Sequence, residues 1–157
     1  MIDWGSFARA IHILSVVVWI GGVSLVATAL LPALKWKPPG EWVHDFDEIE
    51  RRFAPQARIA VLLVLLSGLY MLYIYDLWDR FAEARFWWMH LMVGVWLIFA
   101  VMLFVIEPLS MRHVSREQRR ESLTQATLTR LLWMHRLLLT LSLIAIFAAA
   151  GGSHGLF

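Results

Sequence analysis

The sequence predicts an all-α integral membrane protein, a single four-transmembrane-helix up-down bundle. Three observations predict this fold class. The 157 residues are 60% hydrophobic and include nine Trp and nine Phe, whereas soluble domains are about 45–50% apolar. The apolar residues gather in four long runs, each near the ~20 residues that cross a bilayer. Only short polar segments separate the runs, which favours antiparallel neighbours in chain order.

Each run predicts one helix, because lipid offers no hydrogen-bond partner and the backbone must satisfy itself. Pro32 and the Pro38-Pro39-Gly40 cluster predict the end of the first helix, and Pro108 predicts the end of the third, since proline cannot continue helical hydrogen bonding. The first run is longer than the apolar part of a signal peptide, so we expect a retained helix. The helices are expected at about 7–34, 53–75, 86–106 and 131–150, within one domain, residues 1–157.

The distribution of Lys and Arg predicts the orientation of the bundle. Residues 35–58 and 112–136 hold five and six of the 14 basic residues, and the other three are Arg9, Arg80 and Arg85. Basic loops stay in the cytoplasm, so both termini are expected at the periplasmic face of a bacterial inner membrane, in a multi-pass protein. The tryptophans expected to form the aromatic belts are Trp4, Trp78, Trp87 and Trp88 on that side and Trp36, Trp42 and Trp133 on the other.

Composition excludes several classes of function. The chain has no Cys, so it cannot form a disulfide, a thiolate metal site or an iron–sulfur cluster. Its net charge is only +2, which gives no reason to expect a nucleic acid partner. No polar segment is long enough to form a nucleotide, flavin or protease domain. Any chemistry is therefore expected within or at the surface of the bundle, and no catalytic residue is assigned.

His12 and His90 are the first candidate site residues, because ionisable groups in a membrane span usually face the bundle interior or a functional site. Each lies about five residues into its helix from the same face of the membrane. The first and third helices are diagonal in such a bundle, so two inward imidazoles at one depth predict the axial ligands of a b-type haem. Trp19 and the small surface at Gly94 are the further residues expected to contact it. A copper site and plain packing histidines remain open as alternatives.

The copper alternative adds His154, which follows the fourth helix at the same face. Met89 and Met92 flank His90, and imidazoles and thioethers together suit Cu(I). Methionines in an apolar run are more often core filler, and the glycine-rich surroundings of His154 also suit simple exposure. The candidate metal ligands are thus His12, His90 and His154.

His135 belongs to a different depth. It precedes His154 by 19 residues, which is about 28 Å along a helix, so the two cannot share one site. His135 and His113 are candidates for a second site near the cytoplasmic leaflet, with His44 as another possible partner. The Arg-rich surroundings of His113 favour a solvated segment instead.

Five short motifs along the chain are shared with a known family. They are His12-x6-Trp19-Ile-Gly-Gly22, Leu31-Pro32-Ala33-Leu34, Arg51-Arg52-Phe53-Ala54-Pro55, Ser67-Gly68 and Trp88-Met89-His90. Through them nearly the whole chain resembles the small membrane proteins of the copper-resistance protein D (CopD) family. The resemblance implies a four-helix unit linked to copper handling.

The chain is also similar, more distantly, to HemJ-type protoporphyrinogen oxidases, which share the histidine and tryptophan of the first helix and a Trp-x-His start to a later one. That resemblance implies b-type haem in a similar bundle. Those proteins commonly have a lysine two residues after the later histidine, where this chain has Met92. The departure argues against protoporphyrinogen oxidation.

Three hypotheses of function therefore stand. The first is a cytochrome b with haem between His12 and His90, which passes electrons between a periplasmic redox partner and quinone or a larger membrane complex. The second is a protein that binds or transports copper through His12, His90 and His154. The third is a structural membrane subunit. An electron-transfer or metal-handling subunit is favoured over a stand-alone enzyme, because the predicted spans hold few polar residues for an ion path or acid–base catalysis.

Overall fold

The computed structural model describes residues 3–37, 41–109 and 124–154, apart from the side chains of residues 41–45 and 47. The described chain is helical and contains no strand. It has four helices long and apolar enough to cross a membrane. Helix α1 comprises Trp4–Leu25, a π-helical stretch Val26–Leu30 and a last turn Leu31–Leu34; α2 is Glu41–Ile74; α3 comprises Trp87–Val101 and a π-helical stretch Met102–Ile106; α4 is Gln125–Ser153.

Helices α2 and α4 begin six or more residues before the starts that hydrophobicity predicts. Helix α2 starts at Glu41 rather than near 53, and Glu48 pairs with Arg51 and Arg52 across its polar first turns. Pairs at these i,i+3 and i,i+4 spacings stabilise a helix that has no apolar run. Helix α4 starts at Gln125 because Thr124 accepts a hydrogen bond from the Thr127 N–H, which satisfies a donor that a helix start otherwise leaves free.

The start of α1 is fixed by a capping carboxylate. Asp3 accepts hydrogen bonds from the Ser6 hydroxyl at 2.6 Å and the Gly5 N–H at 3.0 Å. These bonds favour the ionised form and hold the pKa of Asp3 below its ordinary value. An anion here also interacts favourably with the helix dipole.

The helices pack as a closed ring in chain order. Each of α1 and α3 contacts both α2 and α4, which leaves α1 diagonal to α3. Gly5 lies against Tyr75, and Gly152 lies against Trp88, so these contacts define one end, the terminal end, which contains both Trp4 and Ser153. Leu31 packs with Leu128 at the opposite end, which we call the basic end because the described basic residues Lys35, Lys37, Arg51, Arg52 and Arg130 lie near it.

The core lies along the axis of this ring. Trp19 of α1 and Phe99 of α3 meet there edge to face, with ring centroids 5.0 Å apart. Valines, alanines and leucines from all four helices complete the core around them. Many large apolar side chains point outward instead, and such a surface is compatible with contact with a lipid bilayer.

Both π-helical stretches end directly before a proline. The Leu31 N–H donates to the Val26 carbonyl before Pro32, and the Glu107 N–H donates to the Met102 carbonyl before Pro108. These bonds reach five residues back, as in a π-helix. The proline that follows has no N–H. The carbonyl one residue after Val26 or Met102 therefore receives no π-type hydrogen bond from its own helix. Helix α1 nevertheless continues through Pro32 to Leu34.

In α3 this carbonyl is that of Leu103, and it accepts a hydrogen bond from Arg58 of α2 instead. The Arg58 Nε donates to the Leu103 carbonyl at 3.3 Å, while Nη2 lies 2.7 Å from Glu107 Oε1. The Glu107 side chain is only 12% exposed and that of Arg58 is 32% exposed. One arginine thus joins α2 to α3 through an ion pair and a backbone bond near the basic end.

Candidate functional site

His12 occupies the interior face of α1, in line with the buried residues Ala8, Ser15 and Trp19. Its Nδ1 lies 3.0 Å from the Ser67 hydroxyl of α2. That hydroxyl already donates its proton to the Leu63 carbonyl. A hydroxyl that donates to the Leu63 carbonyl can only accept from His12, and that arrangement places the imidazole proton on Nδ1 and the lone pair on Nε2.

Gly68 of α2 lies next to the His12 ring. A Cβ at Gly68 would stand 3.4 Å from His12 Cε1, an ordinary van der Waals contact, so the imidazole lies close to the α2 backbone. The described structure also gives the His12 ring a hydrogen bond to the Val64 backbone, and it shows none that is specific to Nε2. An imidazole held through Nδ1–H, with Nε2 free, has the arrangement typical of a metal-ligating histidine.

The structure places His90 on the outward side of α3. The buried residues Trp88, Val95 and Phe99 define the inward face of that helix, and His90 is two positions from Trp88, a rotation of about 200°. Its side chain is exposed and lies edge-on to Phe81, with ring centroids 5.3 Å apart. The predicted pair therefore shares a depth but not a face, and one chain does not bring His12 and His90 onto one iron.

Gly94 and His154 also lie away from the interior. Gly94 is exposed, and a Cβ there would meet nothing within 4 Å, so it does not form the predicted surface for a macrocycle between helices. His154 is exposed at the end of α4. Within residues 3–37, 41–109 and 124–154 no three His, Asp or Glu side chains form a group that could hold a metal ion. The copper ligand set His12, His90 and His154 is thus not assembled.

His135 is the second histidine of the interior. It lies on the face of α4 that also carries the buried residues Leu128, Leu132 and Leu139. Its Nδ1 donates to the Leu131 carbonyl at 2.8 Å, so Nε2 again carries the lone pair. His113 lies outside the described residues, as does the His44 side chain, so the predicted pairings of His135 stay predictions.

The two interior histidines lie at different depths. Leu31 and Leu128 pack together at the basic end. Distances along the bundle axis can therefore be counted from these two residues. His12 is 19 residues from Leu31, whereas His135 is 7 residues from Leu128. At 1.5 Å per residue the histidines are therefore about 18 Å apart along the bundle, which excludes a shared metal ion.

Trp19 lies in the core between these two levels. It is 4% exposed, and its indole Nε1 is buried with no hydrogen-bond partner among the described atoms. Trp96 of α3 differs, because its Nε1 donates to the Val61 carbonyl at 3.0 Å. The sequence indicates that Trp19 belongs to the site, but not that its N–H is unsatisfied.

Sequence comparison adds no family assignment. No protein-family model matches the chain, and no curated protein or solved structure matches it. The resemblance to the CopD and HemJ families accordingly stays a hypothesis, and the candidate site depends on its own geometry.

Proposed function

We propose that this chain is a b-type haem protein of a bacterial inner membrane that transfers electrons near the periplasmic face, with His12 as an axial ligand. One observation carries the proposal. His12 lies on the interior face of α1, and the Ser67 hydroxyl and the Val64 backbone hold its ring from α2. Fixing one nitrogen sets the tautomer and aims the other at a metal ion.

The number of protein ligands favours haem over copper. A copper site built from protein ligands alone needs several of them, and the described chain gathers no group of three or more histidines or carboxylates. A porphyrin brings four nitrogens of its own, so one histidine is enough to hold its iron. The second axial position is left unassigned, because His90 faces outward in a single chain.

The chain's own part is to bind, orient and insulate the group. Haem supplies the one-electron chemistry when bound. The Ser67 hydroxyl orients the His12 ring, and the apolar core excludes water from its inner side. The basic segments favour a cytoplasmic position for the basic end, which puts His12 nearer the periplasm. A periplasmic redox partner or a larger membrane complex would then exchange electrons at the terminal end.

Removal of the His12 imidazole tests the assignment. His12→Ala purified from cells supplied with haem should retain less than about a tenth of the wild-type haem per chain, because the protein ligand to iron is gone. His90→Ala is the matched control, since it removes an imidazole at the same depth that faces outward, and it should keep its haem. Circular dichroism should show equal helix content in both. Equal haem loss in the two variants, or full retention by His12→Ala, would contradict the proposal.

The role of Ser67 gives a finer prediction. Ser67→Ala removes the acceptor for the His12 Nδ1–H, and loss of such an outer-shell partner should weaken haem binding about tenfold. Ser142→Ala is the control, because Ser142 is equally buried but donates only to Leu138 of its own helix. Haem transfer to apomyoglobin measures the affinity. Similar affinities for the two serine variants would show that Ser67 does not position the ligand.

A further inference from the structure

We propose that Arg136 and Arg130 of α4 bind the phosphate group of an anionic phospholipid at the outer surface of the bundle near the basic end. Both side chains are exposed, and they lie three residues to either side of the exposed Trp133. The Arg136 guanidinium lies over the Trp133 ring, 5.9 Å from its centroid, close enough for a cation–π interaction. The inference rests on insertion of the bundle in a bilayer, and it does not depend on haem.

Neither arginine has a carboxylate partner in the part of the chain that the structure describes. Helix α4, Gln125–Ser153, contains no Asp or Glu. The arginines that pair with a carboxylate within residues 3–37, 41–109 and 124–154 are Arg51, Arg52, Arg58 and Arg85. A ring face attracts the charge of Arg136 but does not satisfy the five N–H donors of a guanidinium, so these donors remain free for an anion.

The depth of Arg136 in the bundle makes an anion necessary. Arg136 is eight residues from Leu128, which packs with Leu31 of α1. Leu31 is twelve residues from Trp19, the middle residue of the helical segment Trp4–Leu34. The Arg136 backbone is thus about 6 Å from that middle level, whereas the hydrocarbon core of a bilayer extends about 15 Å to each side. An exposed cation at this depth is costly unless water or a lipid headgroup reaches it.

The direction of the Arg136 side chain decides which anion can reach it. Long side chains of a helix point back toward its N-terminus, which for α4 is toward the basic end, and the contact with Trp133 agrees with this direction. The guanidinium then lies near the level of Trp133, about 5 Å inside the edge of the hydrocarbon core. A free anion would have to leave water to reach it. A phospholipid phosphate is already held at that edge by its acyl chains, and guanidinium groups bind phosphate oxygens in pairs.

Arg58 shows how the bundle neutralises an arginine that lies between its helices. Its Nη2 pairs with Glu107 at 2.7 Å, and its Nε donates to the Leu103 carbonyl. Arg136 faces outward, where the described chain provides no such acceptor. Below it the exposed side chains of α4 are apolar and suit contact with acyl chains, namely Leu137, Leu143, Ile144 and Phe147. Two arginines also favour a lipid with a net negative charge over one whose phosphate is neutralised by its own ammonium group.

Native mass spectrometry of the intact protein tests this inference. The protein in detergent is titrated with dioleoyl phosphatidylglycerol, and lipid adducts are counted per chain. Arg136→Gln should bind the first lipid about tenfold more weakly than wild type, as expected for lost charge-assisted hydrogen bonds. Arg80→Gln is the matched control, because it removes the same charge from an exposed arginine that lies over Phe86 at the terminal end. It should bind lipid as wild type does.

A second variant and a second lipid complete the test. Trp133→Leu keeps the charge but removes the ring that holds Arg136, and it should weaken lipid binding about threefold. Dioleoyl phosphatidylcholine should bind more weakly than the phosphatidylglycerol. Equal affinities for the two lipids, equal affinities of Arg136→Gln and Arg80→Gln, or displacement of the lipid by inorganic phosphate would overturn the inference. So would a protein dimer that forms in place of the lipid adduct and disappears in Arg136→Gln.

Discussion

Replacement of Glu107 by Gln is expected to lower the free energy of unfolding by about 2 kcal/mol, because its ion pair with Arg58 is partly buried and so lies between exposed pairs, which contribute little, and buried pairs, whose disruption costs about 3–5 kcal/mol. The charge left behind is Arg58, whose side chain is two-thirds buried between α2 and α3. Its remaining bond to the Leu103 carbonyl offsets only part of the loss. Equilibrium unfolding of the purified protein in mixed detergent and SDS micelles measures the change.

Two further proteins complete this experiment. Arg58→Leu combined with Glu107→Leu removes both charges, and it should recover most of the lost stability, because apolar replacement of a buried pair is often neutral. Glu83→Gln breaks the exposed pair with Arg85 and should change little, since surface pairs contribute little. If Glu107→Gln is no more destabilised than Glu83→Gln, Arg58 does not depend on Glu107 for its place in the bundle.

Gly22→Ala is expected to lower the free energy of unfolding by about 2 kcal/mol, the usual cost of an overpacked contact. A Cβ at Gly22 would lie 2.0 Å from Phe53 Cζ and 2.1 Å from its Cε2, so the ring or the α1–α2 packing has to shift. Gly21→Ala is the matched control in the same turn, because a Cβ there meets nothing within 4 Å. Alanine is the better helix former, so Gly21→Ala should be neutral or slightly stabilising.

The same unfolding assay separates the two glycine variants. In a Phe53→Ala background the Gly22→Ala change should cost less than it does in the wild type, since the smaller side chain frees the space that the new methyl group needs. Equal stabilities for Gly21→Ala and Gly22→Ala would mean that α1 and α2 do not pack through Gly22. That result would also remove the support for the register that brings His12 to Ser67.

The sequence predicts the number of long apolar helices and their order, because hydrophobic length is a one-dimensional property. It does not predict the rotation of α3. That run is apolar on nearly every side, so no hydrophobic face shows which way His90 points, and the structure turns it outward. The expected pair with His12 depended on a rotation that only packing determines. The π-helical stretches before Pro32 and Pro108 likewise depend on tertiary context.

Other parts of the site carry a signal in the sequence. Ser67 and Gly68 interrupt a long apolar run, and a polar residue in such a place usually has a hydrogen-bonding partner on another helix. Because α1 and α2 are antiparallel, Ser67 is expected at the same height in the bundle as His12. The contact between Ser67 and His12 could therefore have been predicted from the sequence. The unsatisfied N–H of Trp19 could not have been predicted, because it depends on the surrounding packing. Trp96 is also a tryptophan of the bundle, but its N–H has a hydrogen-bond partner.

The most direct test of the account is a reduced-minus-oxidised absorption spectrum of the purified wild-type protein, with iron and copper measured on the same sample. The account predicts a sharp reduced α band, a shifted Soret band and iron near one per chain, as for a b-type haem. Bound copper with a featureless visible spectrum would contradict it and favour the copper hypothesis. Neither metal, in protein made with haem and copper supplied, would contradict it and favour a structural membrane subunit.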